Sequence, residues 1–135
     1  MQSLIDEAYA MFSNDRFAVD ICGAKIKEIT DDQVTCTMEI TPKHLNAAGT
    51  VMGGAIFTLA DFTFAVAANF HKKLTVSLDS SICYLGTAKG TELIASSRCI
   101  KEGKTTCFYD IDISDDLGTP VAKVSMTGYI LDSKK

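Results

Sequence analysis

The feature that most constrains the fold is the run 51–70, in which Asp61 is the only charged residue. Between 53 and 68 the apolar residues occupy every side of a helix, a pattern typical of a helix that is buried all round. An unpaired carboxylate in such a helix costs roughly several kcal/mol unless it finds partners or lines a cavity. The rest of the chain must therefore surround this helix, and Asp61 is a candidate functional residue.

The rest of the chain is divided by its periodicity into one further helix and several strands. In the first strand after the central helix, Val76, Leu78, Ile82 and Tyr84 alternate with polar residues and are predicted to form an apolar face. The predicted elements are a helix over 1–12 and strands over 19–29, 33–41, 74–85, 92–101, 105–113 and 120–131. This order predicts an α+β fold, in which an antiparallel β-sheet wraps around the long central helix as a single domain over 1–135.

Turn residues separate the last strands. Gly103 lies in the run Lys-Glu-Gly-Lys at 101–104, which predicts a hairpin turn with the glycine in its special backbone conformation. Asp115 and Asp116 begin a second turn signal, which ends at Gly118.

Composition excludes several classes of protein. The net charge of −4 and the absence of a long Lys/Arg cluster argue against a nucleic-acid partner. The apolar segment 53–68 is shorter than a membrane span and has Asp61 at its centre, and no secretory signal precedes it, so we expect no membrane association. The cysteines are odd in number and form no Cys-x-x-Cys pair, which predicts small reduced core residues in a cytoplasmic protein: Cys22, Cys36, Cys83, Cys99 and Cys107. With two histidines and no Cys/His cluster, a metal site has little support.

The start of the central helix suits an anion. Gly53 and Gly54 let a ligand approach the backbone closely, and the first N–H groups of a helix lack intrahelical partners. These groups carry the positive end of the helix dipole, so they can bind an oxygen that becomes negative in a transition state. The alternative is a tight packing point between loop and helix.

Other polar residues near this helix allow functional or structural interpretations. Desolvation should raise the pKa of Asp61, which suits a general base or nucleophile, unless Thr58, Asn69 or nearby backbone satisfies it. Asn46 can bind a ligand or stabilise its own turn. His44 is predicted to be an exposed loop residue, and His71 to lie at the C-terminus of the helix.

The stretch 44–61, which contains Asn46, Gly49, Gly53-Gly54 and Asp61, resembles the signature of hot-dog-fold acyl-CoA thioesterases of the phenylacetate-degradation (PaaI-like) type. The resemblance continues through 77–79, 84–90, 101–104 and 115–118, and so covers most of the chain. It implies the same architecture of a sheet wrapped around a helix.

The resemblance implies catalytic roles for Gly53, Asp61, Asn46 and Ser77. The Gly53 N–H would polarise the thioester carbonyl, and Asp61 of the other subunit would act as general base or nucleophile. Asn46 would orient the thioester or the attacking water, and Ser77 would help to position that water. The site would form across a homodimer, and two such dimers would pair into a dimer of dimers. The substrate would be acyl-CoA, with no cofactor besides the coenzyme A that the substrate carries.

Substrate contacts and the alternatives follow from the same resemblance. Met52 and Gly54 would contact the substrate, and Lys89 and Lys104, with Lys101 as a further candidate, would contact the phosphates of coenzyme A. Met52 stands where the family usually has His, which favours as an alternative a non-catalytic protein that binds or senses acyl-CoA. A related lyase is a weaker option, because hot-dog lyases generally pair Asp with His. Four aromatic residues could line an acyl pocket or, as is more common, fill the core: Phe57, Phe62, Phe64 and Tyr84.

Overall fold

A computed structural model describes residues 2–131 of the 135-residue chain. None of the helices in this range is long and apolar enough to cross a membrane. The elements in chain order are helix α1 (Gln2–Phe12), a π-helical turn (Phe17–Ile21), strands β1 (Ala24–Ile29) and β2 (Val34–Glu39), a 3-10 turn (Pro42–His44), helix α2 (Gly53–Asn69), and strands β3 (Thr75–Tyr84), β4 (Glu92–Glu102), β5 (Thr106–Asp115) and β6 (Pro120–Ile130).

The strands form one antiparallel sheet that encloses α2. Their order is β1-β2-β4-β5-β6-β3, so β3 crosses over to lie beside the last strand and forms one edge of the sheet. Helix α2 contacts all six strands, which requires the sheet to curve around it. This arrangement confirms the predicted α+β architecture and the central position of the helix.

The core lies between α2 and the concave face of the sheet. The helix contributes Leu59, Phe62 and Phe64, which are almost completely buried. Phe64 contacts Tyr109 of β5 edge to face, with 5.5 Å between ring centroids. Gly128 of β6 lies opposite Phe64, and a Cβ atom there would be 2.8 Å from the Phe64 ring. A glycine at this point allows helix and sheet to approach closely.

Before the central helix, the structure corrects two predictions. The strand predicted over 19–29 begins only at Ala24, because Phe17–Ile21 form a π-helical turn and Gly23 then reverses the chain with φ +82°. His44 was predicted to be exposed, but it is 7% exposed, and its Nε2 lies 2.8 Å from the Cys22 carbonyl oxygen. Because its Nδ1 accepts from the Thr41 N–H at 3.0 Å, Nε2 carries the proton and donates it to Cys22.

Strand β3 does not have the apolar face that simple alternation predicts. Val76 is 44% and Leu78 is 63% exposed, whereas Thr75 is buried. The cause is a β-bulge: Ser77 pairs with Gly128 and Asp79 with Thr127, so Leu78 has no partner and the alternation changes phase. Directly paired residues share a face of the sheet. The concave face of β3 therefore carries Thr75 and Ser77 before the bulge, and Ser80, Ile82 and Tyr84 after it.

Two smaller predictions are corrected elsewhere in the sheet. Gly103 lies in the β4–β5 turn without a positive φ; its N–H instead donates to the Thr106 carbonyl at 2.8 Å. The positive φ belongs to Gly118, at +84°, in the β5–β6 turn. The prediction of core cysteines is confirmed for three residues, whereas the other two are exposed thiols: Cys22, Cys36 and Cys107 are buried, and Cys83 and Cys99 are exposed.

Candidate active site

The N-terminus of α2 presents two backbone donors. The helix begins after Met52, whose carbonyl accepts from Ala55 N at 3.0 Å and from Ile56 N at 3.2 Å. The N–H groups of Gly53 and Gly54 have no acceptor among residues 2–131. They lie at the positive end of a helix of 17 residues, so the expected pair of donors for a negatively charged oxygen is present.

Tyr84, the last residue of β3, packs directly against Gly53. Its hydroxyl donates to the Gly53 carbonyl at 3.0 Å. A Cβ atom at Gly53 would lie 2.8 Å from Tyr84 Oη and 2.9 Å from Cζ. A side chain at position 53 would therefore displace the Tyr84 ring, while at Gly54 a Cβ atom would meet only the Met52 side chain, at 3.8 Å. The packing interpretation of Gly53 and its role as a donor are compatible, because the Tyr84 ring does not use the Gly53 N–H.

A cavity of about 460 Å³ adjoins this contact, and the loop after β3 forms one wall of it. Its volume falls within the range of small-molecule sites. The lining residues are Thr50, Val51, Gly53, Ile56, Tyr84, Leu85, Gly86, Thr87 and Ala88.

Two carboxylates of the β5–β6 turn hold the continuation of this loop. Asp115, which is 2% exposed, accepts from the N–H groups of Lys89 and Gly90 with one oxygen, and from those of Leu117 and Thr119 with the other, at 2.7–3.0 Å. Desolvation acts to raise the pKa of Asp115, but these backbone donors outweigh it and hold the pKa well below its usual range.

Asp116 secures the next part of the same loop. Its carboxylate accepts from the backbone of Thr91 at 2.8 Å and of Glu92 at 3.2 Å. A Cβ atom at Gly90 would lie 1.9 Å from an Asp116 oxygen, so glycine is needed for this close approach. The sequence showed the two aspartates only as turn residues, because the loop that they bind lies about 25 positions earlier in the chain.

Asn46 shapes the loop before α2. Its Oδ1 accepts from Ala48 N at 2.9 Å and from Thr50 N at 3.1 Å, and Gly49 between them has φ +82°. This is the turn-stabilising role that the sequence allowed. The side chain is exposed, and its Nδ2 group has no acceptor among residues 2–131, so it keeps two donors for a ligand.

Asp61 lies on a stripe of α2 that the chain's own sheet leaves uncovered. Gly54, Thr58, Asp61 and Ala65 share this stripe, and all of them are at least partly exposed. Neither proposed partner satisfies the carboxylate: Thr58 Oγ1 donates to the Gly54 carbonyl at 2.8 Å, and the Asn69 amide bonds to backbone of Ala65 and Thr75. Burial in a sealed core is thus the wrong description of Asp61.

The surroundings of Asp61 nevertheless suit the role of proton acceptor that the sequence predicts for it. Desolvation by the neighbouring apolar groups, and then the negative charge of Asp15, raise the pKa of its carboxyl group above the usual value. No hydrogen bond or ion pair within residues 2–131 opposes this shift. A carboxylate with raised basicity that is open to its surroundings can accept a proton from water.

Within one protomer, Asp61 is too far from Gly53 for both to act on the same atom. The two residues are eight positions apart in α2, which corresponds to about 12 Å along the helix axis. A reacting group has to lie about 3 Å from both the base and the oxyanion donor. The structure therefore does not bring these two predicted residues together in a single chain.

Ser77 and the exposed residues of β3 lie at the sheet edge. Ser77 is exposed on the concave face, the face that α2 packs against. The edge also exposes Val76 and Leu78, and Met52, at the start of α2, is 56% exposed. An edge strand with exposed apolar side chains is a surface suited to pairing with another strand.

The predicted phosphate contacts are widely separated. Lys89 precedes β4, at the end of the sheet where Gly53 lies, whereas Lys101 and Lys104 lie at the other end of that strand. Strand β4 has 11 residues and so spans about 36 Å. Lys89 and Lys104 of one protomer therefore cannot contact the same phosphate group.

Two further predictions concern histidine and metal ligands. His71 follows the C-terminus of α2 with φ 58°, stacks on Phe70, and its Nε2 lies 2.5 Å from a carboxylate oxygen of Glu7. No group of three or more His, Cys, Asp or Glu side chains that could hold a metal ion occurs within residues 2–131.

The sequence of the region that builds this site matches a family model described as the thioesterase superfamily, over residues 48–122. This is more than half of the chain, and the chain therefore belongs to the thioesterase superfamily, among thioester hydrolases. Acyl-coenzyme A thioesterase PaaI of Escherichia coli is 33% identical over 116 residues, which cover 85% of this chain and 82% of PaaI. Human acyl-coenzyme A thioesterase 13 is 30% identical over 117 residues, 84% of each chain.

Solved structures show the same fold. The E. coli PaaI protein superposes with a TM-score of 0.87 at 27% identity, over 97% of this chain and 95% of its own. A hypothetical thioesterase protein from Streptococcus pneumoniae, solved with coenzyme A, has a TM-score of 0.82 at 28% identity, over 92% of this chain and 99% of its own. The predicted hot-dog fold and PaaI-like relationship are thus confirmed.

Proposed function

We propose that this protein hydrolyses acyl-CoA thioesters to a carboxylic acid and coenzyme A. The observation that carries the proposal is the pair of N–H donors at Gly53 and Gly54, which have no acceptor within residues 2–131 and lie beside a cavity, in a chain with relatives named acyl-CoA thioesterases. A thioester carbonyl is already activated, so oriented donors and one carboxylate are sufficient for its hydrolysis without a metal. The cysteine pattern leads us to propose in addition that the protein acts in the cytoplasm.

In the proposed reaction, the Gly53 N–H binds the thioester oxygen, which becomes negative when the carbonyl carbon turns tetrahedral. Asp61 accepts a proton from a water molecule whose oxygen forms a bond to that carbon, or attacks the carbon itself. The C–S bond then breaks, and the thiolate of coenzyme A leaves and takes up a proton. In the second route this step leaves a mixed anhydride between the acyl group and Asp61, which water hydrolyses to the carboxylic acid and the Asp61 carboxylate. Asn46 supplies its free amide N–H groups to orient the thioester or the water, and Ser77 helps to hold the water.

The separation of about 12 Å between Gly53 and Asp61 favours an active site that two protomers share. We propose a homodimer in which the β3 edges meet and Asp61 of one protomer acts on the thioester bound at Gly53 of its partner. The exposed Val76 and Leu78 support this interface, because pairing would remove their apolar surface from water. Such dimers are proposed to associate further into a dimer of dimers.

The coenzyme A contacts follow from this arrangement. Met52 and Gly54 are exposed at the start of α2 and are placed to contact the substrate next to its carbonyl. Lys89 lies at the same end of the sheet as Gly53 and is proposed to contact a phosphate of the coenzyme. Lys104 lies at the opposite end, so any contact with the coenzyme at this site would have to come from the partner.

One observation favours the second candidate function, a protein that binds or senses acyl-CoA without hydrolysing it. The exposed Met52 side chain adds no hydrogen bond at the helix start, where the resemblance leads us to expect a histidine. The backbone donors do not depend on this side chain, so hydrolysis stays the first proposal. Binding of acyl-CoA esters without release of free thiol, across acyl groups of different size and polarity, would select the binding function instead.

The decisive test replaces Asp61 by Asn, with Asp32→Asn as a matched control on an exposed turn. Loss of a general base lowers kcat by roughly 10²-fold or more, whereas Asp32→Asn should not change it. Because the pKa of Asp61 is raised, activity of the wild type should fall on acidification at a pH above the usual titration range of aspartate. Free thiol released from a panel of acyl-CoA esters measures both effects.

A fold control accompanies this test. The raised pKa means that the ionised Asp61 is less favourable in the folded than in the unfolded chain, so at neutral pH Asp61→Asn should be at least as thermally stable as the wild type. An unchanged kcat in a stably folded Asp61→Asn variant would contradict the proposed role of the carboxylate.

A further inference from the structure

The contact between Tyr84 and Gly53 controls more than packing, because the accepting carbonyl belongs to the Gly53–Gly54 peptide bond. The Tyr84 hydroxyl donates to this carbonyl at 3.0 Å. A trans peptide is a rigid plane in which C=O and N–H point in opposite directions. The hydrogen bond to the Gly53 carbonyl therefore adds to the restraint that the first turn of α2 places on the direction of the Gly54 N–H.

Besides the Phe57 N–H, which donates to the Gly53 carbonyl within the helix, this peptide has few restraints, because it lies in the first turn of α2. Both of its residues are glycines, which adopt many backbone conformations, and they follow Met52, which is in an extended conformation with ψ 139°. The two N–H groups of Gly53 and Gly54 have no acceptor among residues 2–131. The Tyr84 hydroxyl is thus the one side-chain group in that range that bonds to this peptide.

Tyr84 itself is held by its backbone and not by burial. Its side chain is 51% exposed, but it ends β3 in register with Ala122 of β6. The next two N–H groups, of Leu85 and Gly86, both donate to the Val121 carbonyl, at 2.8 and 3.3 Å. The sheet therefore provides a fixed base from which the phenol reaches the start of α2.

We infer that Tyr84 is a positioning residue of the proposed thioester hydrolysis, on which this inference rests. Its hydroxyl holds the Gly53–Gly54 peptide so that the Gly54 N–H points out of the helix N-terminus beside the Gly53 N–H. The thioester oxygen then receives two donors instead of one. The hydrogen bond to the carbonyl also polarises the peptide and makes the Gly54 N–H a stronger donor.

The test is Tyr84→Phe, which keeps the ring against Gly53 and removes only the hydroxyl. Complete loss of an oxyanion donor costs about 10²–10³-fold in kcat, and loss of its orientation should cost less, about 10-fold, with KM changed by less than about twofold. Tyr129→Phe is the control, because Tyr129 is also about half exposed and its hydroxyl makes no hydrogen bond within residues 2–131. This control should keep the wild-type kcat.

A second measurement does not depend on turnover. The probe is a ketone analogue of an acyl-CoA, in which a methylene group between sulfur and carbonyl prevents hydrolysis. In a 15N-labelled protein, the Gly54 amide resonance should respond to saturating analogue in the wild type and in Tyr129→Phe, and the response should be reduced or lost in Tyr84→Phe.

The results of these experiments distinguish the proposed hydrolysis from the positioning role of Tyr84. If the wild type hydrolyses no thioester but the Gly54 resonance responds to the analogue only when the Tyr84 hydroxyl is present, the proposed hydrolysis fails and the positioning by Tyr84 holds. If Tyr84→Phe keeps the wild-type kcat and the wild-type response of Gly54, the positioning role is overturned whether or not the enzyme is a thioesterase.

Discussion

The closeness of Tyr84 to Gly53 leads to a quantitative prediction for Gly53→Ala. The added Cβ atom would lie 2.8 Å from Tyr84 Oη and 2.9 Å from Cζ, so the phenol ring has to retreat by about 0.6 Å to reach an ordinary contact. A retreat of that size lengthens the 3.0 Å hydrogen bond to about 3.6 Å, which is no longer a hydrogen bond. The half-exposed ring can move without disturbing the core.

The stability effect of this substitution should be small, because two terms oppose each other. Loss of a neutral hydrogen bond costs about 0.5–1.5 kcal/mol. Replacing glycine by alanine at a helical position returns about 0.4–1 kcal/mol through the unfolded state. We therefore expect the free energy of unfolding to change by about 1 kcal/mol or less, while kcat falls by about 10-fold or more. Thermal unfolding and steady-state thiol release measure the two quantities.

A variant that lacks the Tyr84 ring tests whether the loss of kcat in Gly53→Ala comes from displacement of that ring. In Tyr84→Ala there is no ring to displace, so adding Gly53→Ala should lower kcat by less than twofold further. Residues that act through one contact show this kind of non-additivity. A Gly53→Ala penalty of the same size in both backgrounds would refute the steric argument and would assign the loss to position 53 itself.

The remaining predictions concern stability. Gly128→Ala would bring a methyl group within 2.7–2.8 Å of Thr75, Cys107 and Phe64. This overpacking should lower the free energy of unfolding, measured in urea, by about 1–3 kcal/mol. An unchanged free energy of unfolding would mean that the helix and the sheet can separate at this point. Asp115→Asn should lower the thermal stability at neutral pH. Because the pKa of Asp115 is depressed in the folded protein, its ionised form stabilises the fold at pH values above the pKa of the unfolded chain. The difference in thermal stability between wild type and variant should therefore shrink as the pH falls below about 4. A difference in stability that persists at low pH would exclude this linkage.

The sequence predicted those parts of the fold that depend on local periodicity. Helix α2 was predicted over 53–68 and is observed over Gly53–Asn69, since an apolar run with a glycine pair at its start is readable from neighbouring residues alone. The π-helical turn Phe17–Ile21 was missed because His44, far along the chain, bonds to the backbone just after it. The bulge at Leu78 was missed because register belongs to a pair of strands and not to one strand.

The residues of the candidate site also divide into those that the sequence alone could indicate and those that only the structure shows. Gly53 and Asp61 could be named from the sequence because each conflicts with its local setting, a glycine in a helix and an acid in an apolar run. Tyr84 had no such conflict: an aromatic residue at a strand end is compatible with a pocket and, more commonly, with the core. Only the pairing of β3 with β6 brings its hydroxyl to the Gly53 carbonyl, 31 positions away in the chain.

Asp61 was singled out from the sequence on an incomplete premise. The apolar run was taken to mean burial on every side within one chain, yet the stripe that carries Asp61 is at least partly exposed. An apolar helix face and an apolar sheet edge that stay exposed in one protomer are surfaces that a second protomer can cover. Desolvation already raises the pKa of Asp61 in the single chain, and covering that stripe would desolvate the carboxylate further. The association proposed to complete the site would therefore also increase the basicity that the proposed reaction requires. The pKa of the Asp61 carboxyl group, followed by NMR titration, should then be lower in a variant that stays monomeric than in the wild type, and an equal pKa in both would contradict this link.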